Sequence, residues 1–381
     1  MKLAAIICEY NPFHNGHQFH IEETRQKTDA EGIVAIMSGN LMQRGDVAIF
    51  DKALRAKAAV LGGANLVIEL PASYSSASAE FFALNAIKIL NALGNVDYLS
   101  FGAENADAAS LAKIGELLAK EPAELSDKIK QLLSTGLSFP VARSCAVGEF
   151  LGAEYADILS TPNNILGIEY CKALARTNSS ITPFPILRCG AAHDSQTTSE
   201  KFASATYIRS LLQSGEADKA KQFVPDFATE LFKNAKIHSL KALEKAIIAY
   251  LIKVPLEELK NAPDVSEGLE NRIKEAALVA STLEELIDNV KTKRYTHSRI
   301  RRILLSAYFG ISRQMRESEP QYISILAHNE TGQKIIAQAK KTATLPIVRN
   351  TSQVNKLKNP LVKSLWEQER VFDNIYNLTE I

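Results

Sequence analysis

Two histidines three positions apart, His14 and His17, bracket Asn15 and Gly16 close to the amino terminus. With glycine between them, both imidazoles can converge on one anion. Gly16 leaves the backbone open where a phosphate or base must come close, and Pro12 stiffens the turn that leads in. A second group, Ser204, Thr206 and Arg209, falls in Ala203-Ser-Ala-Thr-Tyr-Ile-Arg209. Two hydroxyls and a guanidinium in the first turn of a helix suit a pyrophosphate; the same residues also suit an ordinary helix cap. A third group is Lys291, Lys293, Arg294, Arg299, Arg301 and Arg302, six fixed cations in twelve residues with no acid among them. On one helix Lys291, Arg294 and Arg301 would share a face with Arg302 beside it, a pattern that fits an RNA phosphate backbone. Tyr295 would stack on a base or pack in the core, and Lys340, Lys341, Arg349, Lys356 and Lys358 would extend the patch.

These groups need elements to place them. Short apolar runs at Leu3–Cys8, Gly32–Met37, Asn65–Leu70 and Val96–Phe101 alternate with amphipathic stretches at His17–Gln26, Asp51–Leu61 and Ala79–Leu93. Continuous apolar strands between helices predict an α/β fold with a parallel sheet covered on both faces. Asp51 reads as a helix N-cap and Gly62-Gly63 as a helix stop. His14 then follows the first strand and opens a helix, the place where ligands bind in open α/β sheets and where helix N–H groups favour phosphate. A helical insertion is expected over about 106–176, a loop entering a helix at Pro162-Asn-Asn164, and a further strand at Pro183–Leu187 ending at Arg188. Strand signals nearly vanish beyond Gly215. The expected division is therefore a nucleotide-binding catalytic domain over 1–215 and a mainly helical, RNA-binding domain over 216–381. Ser38, Gln43, Arg44, Asp46, Lys52 and Arg55 follow the second strand, where they would reach substrate or RNA or form a solvated face.

The 381 residues are 46% hydrophobic and 23% charged, with a net charge of +1, so bulk charge selects neither nucleic acid nor membrane as partner. Cys8, Cys145, Cys171 and Cys189 form no C-x-x-C pair. Dispersed thiols fit a reducing cytoplasm rather than a zinc or dithiol site. No apolar stretch is long enough to span a membrane. The sequence holds no Walker loop, no G-x-G-x-x-G and no H-E-x-x-H, which argues against a P-loop ATPase, a Rossmann dehydrogenase and a zincin.

His14-Asn-Gly-His17 with the later Ser204, Thr206 and Arg209 resembles the H-x-G-H nucleotidyltransferase superfamily, whose members carry S-S-T-x-x-R where Ala205 here replaces one serine. The resemblance narrows. Glu9-Tyr-Asn-Pro-Phe-His-Asn-Gly-His17, Met37-Ser-Gly-Asn-Leu-Met-Gln-Arg-Gly45, Leu66-Val-Ile-Glu-Leu-Pro71, Phe101-Gly-Ala-Glu-Asn105, Pro162-Asn-Asn-Ile-Leu-Gly167 and Lys291-Thr-Lys-Arg-Tyr-Thr296 occur in order. Together they resemble the bacterial tRNA(Met) cytidine acetate ligases over nearly the whole chain. The resemblance implies a HUP-type nucleotidyltransferase domain that makes acetyl-AMP from acetate and ATP and transfers the acetyl group to N4 of the wobble cytidine of elongator tRNA(Met). It implies an ATP cradle running through Ile7, Cys8, Glu9, Tyr10, Asn11, Pro12, Phe13, His14, Asn15, Gly16, His17, Gln18, Phe19 and His20. Gly102, Asn163 and Arg188 would complete that cradle. Catalysis would then rest on His14, His17, Ser204, Thr206 and Arg209, by positioning and charge stabilisation. Mg2+ is expected with ATP, though no carboxylate cluster announces a metal site. The proton of the cytidine amine could pass to His14, His17, Glu9 or solvent. Two other readings stand beside this one: an adenylyltransferase for a small phosphate ester, and a non-catalytic RNA-binding protein that keeps ATP as a structural ligand.

Overall fold

The computed structural model describes residues 1–188, 201–266, 268–292 and 295–381; Cys189, Lys293 and Arg294 lie outside them. The apolar runs form β1 (Leu3–Cys8), β2 (Gly32–Ser38), β5 (Leu66–Leu70) and β6 (Tyr98–Ala103). The turn after β2 adds a short hairpin, β3 (Leu41–Met42) and β4 (Asp46–Val47), and β7 (Thr182–Leu187) follows the helical insertion. Two further strands, β8 (Ile323–His328) and β9 (Ile347–Val348), come from the region where strands were not expected. The main sheet has the order β7-β6-β1-β2-β5-β8-β9. Strands β7 to β5 of that order are mutually parallel, and β8 joins β5 antiparallel.

Parallel strands buried on both faces need helices above and below. On one face lie α1 (Asn15–Thr28), α2 (Lys52–Leu61) and the helix Ala205–Gln213. On the other lie Ala79–Leu93, Ala108–Lys120, Pro162–Arg176 and Glu330–Thr342. The chain crosses from β1 through α1 on one face, and reaches β6 through Ala79–Leu93 on the other. The sheet order therefore reverses between β1 and β6, and a crevice opens at the carboxyl ends of these two strands. The β7 edge carries Pro183 and Pro185, which remove two N–H groups from a strand that would otherwise invite a further partner.

Past β7 the chain is mostly helical. Glu244–Lys253, Leu269–Val279, Leu283–Val290 and His297–Phe309 bury their own apolar cluster. A smaller cluster joins that body to the sheet: Leu41, Met42 and Val47 of the hairpin pack with Leu305 and Phe309 and with Phe372 and Tyr376 of the last helix, Pro360–Asn377.

Candidate active site

The loop from β1 to α1 is held from beneath. Phe13 is fully buried and seats on Gly62, where a Cβ would approach the ring to 2.2 Å. The Asn11 carboxamide oxygen accepts the Ile49 N–H at 2.8 Å. Arg55 is fully buried and donates to four carbonyls: Phe50 at 2.9 Å, Glu9 at 2.6 Å, Ser38 at 3.2 Å, and Gly39. It thus ties the ends of β1 and β2 to the entry of α2. Arg55 is a structural clamp and not the substrate contact that its place in the sequence suggested. Lys52 is likewise taken, by Glu69 at 2.6 Å and Asp373 at 2.7 Å. Ile7, Tyr10, Asn11, Pro12 and Phe13 are buried, so they support the expected ATP cradle from below rather than line it with side chains.

His14 is the N-cap of α1. Its Nδ1 accepts the Gly16 N–H at 3.1 Å, and the His17 Nδ1 accepts the His14 N–H at 3.3 Å, closing a capping box built from two imidazoles. The rings stack with centroids 3.6 Å apart. A Cβ on Gly16 would lie 3.0 Å from the His14 ring, so the glycine makes room for the cap itself. This changes the expected role of the helix end. Its Gly16 N–H is spent on an imidazole, and the imidazoles become what the helix offers to an anion. A neutral imidazole that accepts at Nδ1 carries its proton on Nε2, so each ring presents an N–H donor.

Cations gather around this pair. Arg209 donates to the Asn11 carbonyl at 2.7 Å and to the Thr206 hydroxyl at 3.2 Å. The Ser204 hydroxyl caps the helix Ala205–Gln213 by accepting the Tyr207 N–H at 3.1 Å. Arg188 leaves the end of β7 and crosses Gly102, where a Cβ would meet its side chain at 3.1 Å. Burial, then Arg188, then Arg209 depress the His14 pKa from 6.5 to about 3. Burial and Arg188 depress His20 to about 4, and burial with its two histidine neighbours holds His17 well below 6.5. The crevice is thus lined by neutral imidazole donors and guanidinium groups, a setting that favours a polyanion. His20 turns to the Ser100 hydroxyl at 3.0 Å. Asn163, in the first turn of Pro162–Arg176, donates to Glu104 at 2.5 Å, while the Asn164 oxygen accepts the N–H groups of Glu104 and Asn105 at 3.0 Å. Three cradle residues serve other contacts: Asn15 donates to the Lys201 and Gln222 carbonyls, Gln18 to Glu22, and Phe19 meets Phe202. Among the described residues no group of three or more His, Cys, Asp or Glu side chains is placed to hold a metal ion.

The basic stretch is not one helix. Lys291 caps the end of Leu283–Val290 in extended conformation, and a new helix starts at His297. Arg301 pairs with Glu284, Arg299 donates to the Asp264 carbonyl at 2.7 Å, and Arg302 is buried, 3.4 Å from the Asp264 carboxylate. The acids missing from the local sequence arrive from distant segments, and Arg302 is a core residue rather than a phosphate ligand. Tyr295 is buried as well. Lys341 lies beside Met1, Asn95 and Asp97 at the amino ends of β1 and β6, the edge opposite the crevice, so it does not extend a patch there.

A sequence model of the HIGH nucleotidyl transferases matches residues 1–380. A tRNA(Met) cytidine acetate ligase of Acetivibrio thermocellus is 39% identical, with 99% of this chain and 94% of that protein covered. Another, of a Thermoanaerobacter species, is 40% identical, with 99% and 95% covered. The chain belongs to the tRNA(Met) cytidine acetate ligase family, within the HIGH nucleotidyl transferases. This is a family of ligases. Its fold is that of Thermotoga maritima TmcAL: the apo crystal structure superposes with a TM-score of 0.94 at 29% identity, covering 100% of this chain and 96% of that one. The TmcAL structure bound with alpha-thio ATP superposes at 0.91 and 30% identity, covering 100% and 95%. In the present ligase-family chain, sequence reasoning missed the clamp at Arg55 and the Glu104–Asn164 exchange. A buried arginine that bonds only carbonyls leaves no partner residue type to look for.

Proposed function

We propose that the chain uses ATP to activate acetate as acetyl-AMP and passes the acetyl group to N4 of the wobble cytidine of elongator tRNA(Met). The observation that carries the first half is the gathering of His14, His17, Arg188 and Arg209 at the β1–β6 crevice. Imidazole donors and guanidinium groups at fixed positions stabilise charge that builds on a triphosphate as an oxygen nucleophile attacks the α-phosphorus. Acetate is an unreactive acyl donor, and AMP makes it a reactive one. The cytosine amine is a poor nucleophile because its lone pair is delocalised into the ring, so it needs an activated acyl group held close. Ser204 and Thr206 would take part in holding the phosphates. Mg2+ would enter with ATP and neutralise phosphate charge; the described residues form no protein cage for it. The second half is supported by the relatives' name and by the helical body beside the hairpin, which gives RNA a surface next to the crevice. Of the basic residues, Lys291 is exposed and Arg299 and Arg301 are half-buried, and these three remain candidates for tRNA contact. Among the described residues no helix is long and apolar enough to cross a membrane, and we place the protein with its tRNA in the cytoplasm.

The test of the first half is ATP–pyrophosphate exchange. Exchange that requires acetate supports the acetyl-adenylate. Exchange with a phosphate ester in place of acetate would favour a small-molecule adenylyltransferase, and no exchange under any condition would overturn the proposal.

A further inference from the structure

The acetyl-transfer step must place a proton somewhere, because the attacking N4 amine loses one as the amide forms. His14 and His17 are poor receivers. Each Nδ1 already accepts a main-chain N–H, at 3.1 and 3.3 Å, which leaves the proton on Nε2 and makes both rings donors toward the crevice. His20 is turned to Ser100 at 3.0 Å. Glu104, at the end of β6, accepts from Asn163 at 2.5 Å and from the Asn164 N–H at 2.9 Å. Glu69 is engaged by Lys52 at 2.6 Å and Ser324 at 3.0 Å.

Glu9 differs from all of these. It follows β1 directly, so it stands on the β1 side of the crevice, opposite the Gly102 end of β6. Its main-chain oxygen is gripped by Arg55 at 2.6 Å. Its Oε1 accepts the Gln43 N–H at 2.7 Å, which fixes the carboxylate. The Gln43 bond falls on Oε1 and leaves Oε2 unused by it, and the residue is only half-buried. Gln43 belongs to the β3–β4 turn. Two residues on, Gly45 touches the helix His297–Phe309 so closely that a Cβ would lie 2.5 Å from the Arg302 nitrogen. Glu9 therefore sits between the nucleotide cradle and the helical body, where an incoming base would meet a bound acyl-adenylate.

We infer that Glu9 is the general base of acetyl transfer, taking the proton of the cytidine amine on Oε2. This rests on the proposed function. As N4 attacks the acetyl carbon, the N–C bond forms and the anhydride C–O bond to AMP breaks. AMP leaves with the electron pair, the amine proton passes to Glu9, and Glu9 returns it to solvent. The anchored Oε1 and the clamped backbone hold the base within reach of the amine.

The test is Glu9→Gln, which keeps an acceptor for the Gln43 N–H but cannot take a proton. Three readouts are compared with the wild type: acetate-dependent ATP–pyrophosphate exchange, single-turnover acetyl transfer to tRNA, and trapping of the acetyl group by hydroxylamine, a nucleophile strong enough to need no base. Transfer should fall by about 10²–10⁴-fold more than exchange does, the usual worth of a positioned base. Acetohydroxamate formation should fall no further than exchange. If transfer and exchange fall together, or if transfer stays at the wild-type rate while the wild type exchanges normally, Glu9 is not the base. If the wild type itself shows no acetate-dependent exchange, the proposed function is wrong and the assignment falls with it.

Discussion

His14 and His17 show how residue type and local backbone together decide protonation. The usual N-caps are small polar residues. Here an imidazole does the capping, and the cap fixes which nitrogen holds the proton. Burial, and after it the charges of Arg188 and Arg209, keep the His14 ring neutral with a pKa of about 3, and burial with Arg188 holds His20 near about 4 instead of 6.5. In the free protein these histidines bind fewer protons than in the unfolded chain, so stability should be full above pH 6.5 and fall on acidification below it. Ligand binding behaves differently: with each Nδ1 already accepting a main-chain N–H, the rings meet a triphosphate as neutral Nε2–H donors, so nucleotide binding at pH 8 should proceed without proton uptake. Calorimetric titration of ATP in two buffers of different ionisation enthalpy measures this directly. Net proton uptake would contradict the charge assignment.

The element that links the two halves of the molecule is the β3–β4 hairpin. It packs apolar residues against the helical body, supplies the Gln43 N–H to Glu9, and turns at Gly45 with a φ of +77°. Gly45 is the point of closest approach, and a side chain there meets both a left-handed backbone and the main chain of Arg301 and Arg302. Gly45→Ala should cost about 3 kcal/mol of stability, combining the penalty for a non-glycine at positive φ with overpacking. Chemical denaturation would show it, and unchanged stability would mean that the hairpin does not dock as described. The same scale explains what the sequence could tell. Strands β1, β2, β5 and β6 were legible as unbroken apolar runs, and the H-x-G-H loop declared its place at a strand end. Strand β8 was not, because Ile323–His328 mixes serine and histidine with its apolar residues and pairs with a strand far away in the chain, Leu66 with His328. The basic stretch misled for a related reason. Its acids, Asp264 and Glu284, reach it only through tertiary packing.

At the scale of the whole molecule, the last helix closes over the catalytic half. Tyr376 donates to the Ala48 carbonyl at 3.0 Å, and Asn40 donates to Asp373 at 2.9 Å. Glu369 accepts the Ala72 N–H at 2.9 Å. Lys52 pairs with Glu69 at 2.6 Å and with Asp373 at 2.7 Å, and Glu369 feels the same ammonium through its charge. Burial first, and then the Glu69 charge, push Glu369 up to about 8 from 4.5. A raised carboxyl pKa stabilises the folded state while the group stays protonated, so this contribution is present at low pH and is lost as pH rises through about 8. The melting temperature should therefore decline as pH rises from 6.5, above which the histidines no longer contribute, to about 8, then level off, and Glu369→Gln should flatten that decline. An identical slope in wild type and variant would show that Glu369 is not the group involved.

The central claim joins a nucleotide site, an acyl donor and an RNA acceptor in one chain, and one measurement reaches all three. Unmodified elongator tRNA(Met) is incubated with the protein, ATP and isotope-labelled acetate, and its nucleosides are analysed by mass spectrometry. The account predicts labelled N4-acetylcytidine at the wobble position, dependent on ATP. Unlabelled tRNA after ATP has been converted to AMP and pyrophosphate would contradict the acceptor, and ATP left untouched in the presence of acetate would contradict the chemistry from its first step.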